Sequence, residues 1–144
     1  MNEKEFEIIL KTGESFFVEF KEKVNNTLAK EIVSFANSQG GRIFIGVTDS
    51  GKIKGINITN KLKSQVYDIA RNCEPSIEIE LIEYKNKILI INIPEGNKKP
   101  YSCKQGFFIR NGPNSQKLSR DEILSFAYTA VSYTHLTLPT ICSV

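Results

Sequence analysis

Three acidic residues near the start of the chain have the types and positions for chemistry on phosphate esters. Glu14 and Glu19 lie five residues apart in Glu-Ser-Phe-Phe-Val-Glu, and Asp49 follows an apolar run at residues 42–48. Cleavage of a phosphodiester with a divalent metal needs two or three converging carboxylates to hold Mg²⁺ or Mn²⁺, which activates water. Glu14, Glu19 and Asp49 are therefore candidate catalytic acids and metal ligands.

The same three acids also have structural explanations. Asp49 is a common turn residue, Glu14 fits a loop, and Glu19 fits the solvated face of a strand. A spacing of five puts Glu14 and Glu19 on opposite faces of a regular strand. The site therefore requires that Glu14 lies before the strand or beside a bulge.

Other chemistries find less support in the sequence. No GxxxxGK[ST] pattern is present, which argues against nucleotide hydrolysis of the P-loop type. Cys73, Cys103 and Cys142 are odd in number and have no CxxC spacing, so they indicate neither a disulfide framework nor a zinc site. Cys73 and Cys103 have no nearby histidine to activate them, and we expect buried or surface thiols. This cysteine usage favours a reducing, cytoplasmic location.

Positive charge is concentrated in one segment. Residues 96–120 contain six basic and no acidic side chains, within a chain whose formal net charge is only +3. Such a segment fits a phosphate-bearing partner, although lysines that merely keep a loop soluble are the common alternative. The sequence predicts that phosphate is contacted by five basic residues: Lys21, Arg42, Lys98, Lys99 and Arg110. Arg110 is favoured because it precedes an Asn-Gly turn at a strand end.

Apolar periodicity predicts alternating helices and strands. Helices are expected at 2–11, 27–38 and 60–72, and a last one opens at the capping box Ser119–Glu122. Strands are expected at 15–21 and 42–48, around Ile53, and at 76–84, 88–93 and 107–110. The order αβαββαβββα indicates a single α+β domain with a mixed sheet and flanking helices. The start of the chain lacks a signal-peptide pattern, and no run is long enough to span a membrane.

The last stretch differs from the rest of the chain. Residues 123–144 contain no Asp, Glu, Lys or Arg, although charged residues make up 24% of the composition. The end, from about Val131, resembles a tail found on translated sequence assemblies, where vector sequence is read past the break. A native terminal strand is the alternative. We take residues 1–128 as the domain and 131–144 as a non-native tail, so that His135 is excluded from the candidate site.

Four motifs together resemble the Schlafen AlbA-type domain family. They lie at residues 13–21, 35–55, 98–101 and 107–112, and the resemblance covers about residues 10–125 in the right order. In bacteria and archaea, this resemblance implies a DNA-binding module at the N-terminal part of transcriptional regulators. In animal Schlafen proteins, the related domain belongs to an endoribonuclease acting on tRNA and rRNA.

The resemblance also assigns roles to individual residues. The two catalytic glutamates of the animal enzymes fall on Glu14 and Glu19, and their aspartate falls on Asp49. The animal enzymes, however, use two such lobes and add a zinc site, for which this chain has no Cys/His set.

We therefore predict a nucleic-acid-binding domain, expected to bind DNA, that is the N-terminal lobe of a truncated transcriptional-regulator-like protein, with DNA or RNA as its partner. One alternative is a Mg²⁺- or Mn²⁺-dependent endoribonuclease acting on structured RNA. Another is a protein-interaction or oligomerisation lobe, which includes a homodimer.

Overall fold

We describe the fold from a computed structural model, which describes residues 2–135. In the last helix, it describes the side chains as far as Phe126 and that of Tyr128. Four helices lie in the described part of the chain: α1 (Glu3–Thr12), α2 (Leu28–Ala36), α3 (Asn60–Arg71) and α4 (Arg120–His135). Its strands are β1 (Val18–Lys21), β2 (Gly41–Ile45), β3 (Glu80–Tyr84), β4 (Ile88–Ile93), β5 (Ser102–Cys103), β6 (Gly106–Asn111) and β7 (Asn114–Lys117). The predicted α+β class is confirmed.

The larger sheet has four strands in the order β1-β2-β4-β3 and is mixed. Strands β1 and β2 are parallel, and the other neighbours are antiparallel. The parallel pair needs a crossover connection, which α2 supplies. A smaller antiparallel sheet, in the order β5-β6-β7, packs against α2. Helix α2 therefore lies between the two sheets.

Strand β1 shows how alternation sorts side chains between the two faces of the larger sheet. Val18 and Phe20 are buried in a cluster with Phe6 of α1 and Phe44 of β2. Because successive side chains in a strand point to opposite faces, Glu19 and Lys21 face the other way, towards α2. That face carries the main core, which includes Ile32 and Phe35 among its fully buried side chains.

Most local predictions are confirmed. The capping box holds, since Ser119 N–H donates to Glu122 Oε1 at 2.9 Å and Glu122 N–H donates to Ser119 Oγ at 3.2 Å. The β3–β4 hairpin has a three-residue loop, Lys85 to Lys87, in which Lys85 and Asn86 have positive φ and the Lys87 N–H donates to Tyr84 O at 3.2 Å.

Several sequence predictions differ from the structure; the strand predicted at 76–84, for example, begins only at Glu80. The first strand begins at Val18, because residues 15–18 form a tight turn closed by an isolated bridge. The segment around Ile53 forms a single bridge to Val47 rather than a strand. Strands β5 and β7 were not predicted, because they are short and their sequences lack apolar alternation.

Helix α4 continues through His135, so the tail predicted to start at Val131 begins within a helix. The remaining residues of the predicted tail, 136–144, lie outside the described part of the chain. Among the described helices, none is long and apolar enough to cross a membrane.

Candidate functional site

A tight turn brings Glu14 next to Glu19. Ser15 and Val18 pair as an antiparallel bridge, with Ser15 N–H donating to Val18 O at 2.9 Å and Val18 N–H donating to Ser15 O at 3.3 Å. One step further from the turn, Glu14 lies opposite Glu19, and directly opposed residues of an antiparallel pair share a face. The turn thus removes the objection that a spacing of five separates the two carboxylates.

The contacts of Glu14 place its carboxyl beside the strand that carries Glu19. Glu14 Oε2 accepts the Phe20 N–H at 3.0 Å, which fixes this carboxyl beside β1. Burial raises the pKa of Glu19 to about 8, and hydrogen bonding of the protonated Glu19 carboxyl to Glu14 adds to the rise, while the hydrogen bond from Arg110 opposes it. At neutral pH Glu19 therefore holds its proton more strongly than an exposed glutamate does. A carboxyl with a raised pKa can act in proton transfer.

Arg110 lies beneath this acid pair. Its Nη1 donates to Glu19 Oε1 at 2.8 Å, and its Nη2 donates to Ser15 O at 2.6 Å. The guanidinium also stacks over Phe35, with Cζ 4.3 Å from the ring centroid. The side chain is 0% exposed, against 14% for Glu19. Arg110 therefore fixes the turn and the acid pair from inside the protein.

The position of Arg110 corrects the prediction that it contacts phosphate. Strand β6 does end near this residue, but its side chain points inward, towards β1 and α2. A buried guanidinium with carboxylate and carbonyl partners has no exposed edge for a nucleic acid. Its Nε is buried without a hydrogen-bond partner.

Asp49 lies in the loop that follows β2. Lys21 O, at the end of β1, accepts the Gly46 and Val47 N–H groups, so the loop starts at the carboxyl ends of the two parallel strands. Gly51 closes the turn at φ 86°, and a Cβ there would lie 2.6 Å from Leu10 O. Asp49 itself is exposed. The carboxyl ends of parallel strands are a common place for ligand sites.

Glu19 and Asp49 line the same open cavity, which has a volume of about 620 Å³. Three lysines share it: Lys21, Lys23 and Lys54. Lys54 is paired with Glu22 at 2.8 Å. The cavity therefore brings two of the three predicted acids together with the positive charge of the lysines.

The predicted metal site is not formed in this arrangement. Among the described residues, no three Asp, Glu, His or Cys side chains are close enough to share a metal ion. Glu19 Oε1 is engaged by the Arg110 guanidinium at 2.8 Å, which occupies one of its oxygens. The residues as placed do not fit a three-carboxylate metal site, and we derive no step through a metal.

Lys21 is also not placed as predicted. Its Nζ donates to Glu31 Oε1 at 2.8 Å and to Thr27 Oγ1 at 2.6 Å, and its side chain is only 10% exposed. Because both partners lie at the start of α2, Lys21 ties β1 to that helix. The prediction of a phosphate contact at Lys21 is corrected for the same reason as at Arg110.

The other predicted basic residues remain on the surface. The Arg42 side chain is about one-third exposed, and its Nη1 lies 3.5 Å from Glu5 Oε1. Lys99 forms an exposed pair with Glu95 at 2.8 Å. Lys98 is exposed. These three side chains are available to a partner, and their role stays a prediction.

Further basic residues surround the turn between β5 and β6. Lys104 lies in that turn, the Lys117 side chain lies over Gly106, and Lys30 Nζ is 5.9 Å from the Phe108 ring centroid. The turn contacts the start of α2 through Gln105, which donates to Asn26 O at 2.9 Å. We call Lys30, Lys104 and Lys117 the hairpin cations. The sequence indicated a basic segment here, but not that Lys30 joins it from α2.

Sequence analysis missed one structural residue of this region. Asn37 is 2% exposed and joins α2 to the second sheet. Its Nδ2 donates to Tyr101 O at 2.9 Å and to Phe108 O at 2.8 Å, and its Oδ1 accepts the Tyr101 N–H at 2.6 Å. The available signal was an asparagine, Asn37, that directly follows the apolar stripe ending at Ala36 and precedes the glycine pair Gly40-Gly41.

Comparison with known proteins identifies the family. The family model "Schlafen, AlbA_2" matches residues 14–119, which is most of the chain, so the chain belongs to the Schlafen AlbA_2 family. Membership of this family suggests a nucleic-acid-binding domain. No curated protein matches the chain significantly.

Among solved structures, the fold is similar to that of the DIP2311 protein from Corynebacterium diphtheriae. The TM-score is 0.58 at 18% sequence identity, over 76% of this chain. At this identity the likeness concerns the fold alone. The matched region spans only 23% of the other protein's length.

Proposed function

We propose that this chain is the nucleic-acid-binding lobe of a transcriptional-regulator-like protein located in the cytoplasm. Family membership supports the class, and the distribution of charge supports the binding surface. In residues 96–120, only Lys99 and Arg110 take part in ion pairs with other described residues. Lys98, Lys104, Lys117 and Arg120 are exposed. This surplus of exposed cations over acids is the observation that carries the proposal.

The hairpin cations are the proposed centre of the binding surface. They come from three different elements, α2, the β5–β6 turn and β7, and so form a surface rather than a linear run. Lysines act on the phosphate backbone as point charges without reading sequence. The proposed partner is therefore DNA or RNA bound through its backbone, with Arg42, Lys98 and Lys99 as further contacts.

The binding proposal is tested with a labelled duplex DNA and a hairpin RNA over a range of salt concentrations. We expect affinity to fall steeply with salt, because binding releases counterions from the phosphates. In the double variant Lys104→Ala and Lys117→Ala, the slope of log affinity against log salt concentration should be smaller by about two. Each phosphate contact contributes about one to that slope. Lys4→Ala, on α1 across the larger sheet, is the matched control and should bind as the wild type does. Affinity that does not change with salt would contradict the proposal and favour a protein-interaction or homodimer role.

A nuclease is the second candidate function, and the contact between Glu14 and Glu19 favours it. A carboxyl with a pKa near 8 keeps a proton at neutral pH and can donate it to a leaving oxygen. Glu14, Glu19 and Asp49 are the proposed catalytic acids of this alternative.

The nuclease alternative is tested by incubating the protein with structured RNA, with Mg²⁺ or Mn²⁺ added and with a chelator. Cleavage that is lost in Glu14→Gln and in Asp49→Asn, while RNA binding is kept, would support it. Cleavage that persists in both variants would identify a contaminant. Absence of cleavage with binding intact would leave the binding lobe as the function.

A further inference from the structure

We infer that Cys73 and Cys103 are an oxidisable dithiol pair that forms an intramolecular disulfide. Cys73 follows the end of α3, and Cys103 ends β5. Both are free thiols that lie outside the acid site, and Cys103 directly precedes Lys104, one of the hairpin cations. The inference does not depend on the proposed function.

The backbone beside the two cysteines provides the geometry. Glu74 and Ser102 pair as an antiparallel bridge and exchange two hydrogen bonds, each of 2.8 Å. Cys73 and Cys103 flank this bridge, each one residue away from it. The pairing itself ends at the bridge, because the Asn72 and Cys73 N–H groups donate to Asp68 O and Ala70 O at the end of α3. The bridge holds the two flanking cysteines close to each other, and a disulfide needs their Cα atoms to approach within about 4.4–6.8 Å.

The side chains of the two cysteines share an environment. Both line one open cavity of about 530 Å³, together with Ile69, Gln105 and other residues. Cys73 belongs to the main core cluster, and Cys103 packs against that cluster. Burial raises the pKa of the Cys73 thiol to about 12, and the nearby Cys103 adds to the rise. Both cysteines therefore border the same cavity, with Cys73 Sγ against Ile69 O at 3.4 Å and Cys103 Sγ against Gly106 O at 3.6 Å.

The difference in exposure gives the two cysteines different roles. Cys103 is half-buried and opens to the cavity, whereas Cys73 is only 4% exposed. A peroxide therefore reaches Cys103 first. The Cys103 sulfur attacks the O–O bond and becomes a sulfenic acid, while the other oxygen leaves as water. The Cys73 sulfur then attacks the sulfenic sulfur, the S–S bond forms, and the hydroxyl leaves as water with the proton of Cys73. Two thiols are oxidised and one peroxide is reduced.

The experiment uses the full chain with Cys142→Ser, so that two thiols remain. After treatment with hydrogen peroxide, intact mass should fall by two hydrogen atoms, and peptide mapping should find Cys73 linked to Cys103. A thiol reductant should reverse the change. In denaturant, the disulfide should form about tenfold more slowly, since unfolding removes the fixed proximity of the two sulfurs.

Two variants of this parent serve as controls. Cys73→Ser should keep a Cys103 sulfenic acid that a dimedone probe captures, because the resolving thiol is gone. Cys103→Ser should stay unmodified, because its remaining thiol is buried. Two free thiols after treatment of the folded parent, a sulfenic acid that accumulates in it, or a disulfide found only between chains would each overturn the inference.

Discussion

Arg110 of β6 donates a 2.8 Å hydrogen bond to Glu19 of β1, which joins the small sheet to the edge of the larger sheet inside the protein. The same guanidinium donates to Ser15 O and stacks on Phe35. One side chain thus connects the acid turn, α2 and the second sheet. The stability of the domain and the geometry of its acid pair therefore depend on the same residue.

Replacing Arg110 should lower the free energy of unfolding of the domain. It should not weaken nucleic-acid binding directly. Removing the buried guanidinium leaves Glu19 Oε1 and Ser15 O without their hydrogen-bond donor and Phe35 without its stacking partner, and we expect Arg110→Ala to cost about 3 kcal/mol of unfolding free energy. Urea denaturation measures this change. Arg42→Ala is the matched control, because its pair with Glu5 is exposed and long, and it should cost less than about 0.5 kcal/mol. Equal losses in the two variants would contradict the structural role.

The raised pKa of Glu19 should make the domain less stable as pH rises. Between the ordinary value of 4.5 and about 8, the folded chain holds a proton on Glu19 that the unfolded chain has lost. Since folding then binds a proton, the free energy of unfolding decreases with rising pH across this window. Glu19→Gln, which cannot ionise, should flatten this part of the profile.

The check for the pH effect is a series of urea denaturations from pH 4 to pH 9. Both proteins should be compared in buffers of equal ionic strength, because exposed pairs such as Lys54 with Glu22 respond to salt. A wild-type profile that rises across the window would show that the Arg110 interaction dominates and that Glu19 is ionised.

Asn37 should contribute more to stability than an exposed asparagine. Its side chain makes three hydrogen bonds to buried backbone groups of Tyr101 and Phe108. Removing a buried partner costs about 1 kcal/mol or more for each group left unsatisfied, so Asn37→Ala should cost about 3 kcal/mol. Thermal unfolding measures it, with Asn57→Ala as the exposed control.

The C-terminal tail remains a prediction. If residues 131–144 are not native, deleting them should leave the thermal midpoint and nucleic-acid affinity unchanged within error. The deletion shortens α4, whose described exposed side chains include Leu124 and Tyr128. A midpoint lower by many degrees would show that these residues belong to the domain, and His135 would return to the candidate residues.

The sequence was informative where local rules act. Alternating Val18 and Phe20 predicted the buried face of β1, and the polar residues Lys85 and Asn86 predicted a turn between two strands. Helix bounds were predicted within about two residues, because apolar stripes and capping residues set them locally.

The partners of Glu19 and Lys21 could not be predicted in the same way. An arginine at a strand end is usually exposed, and nothing near Arg110 in the sequence points to Glu19. Strand β7 has the sequence Asn-Ser-Gln-Lys, and it is a strand only because β6 offers it hydrogen bonds. Tertiary contacts of this kind override local propensity.

The acid turn has a consequence for the order of folding. Glu14 and Glu19 are close in the sequence, so their hairpin can form early, whereas Arg110 lies 91 residues after Glu19. A growing chain thus presents two adjacent carboxyls long before their cation is synthesised. The second sheet, which carries Arg110, then docks against a turn whose carboxyls are already in place. We expect this docking step to be the part of folding most sensitive to ionic strength.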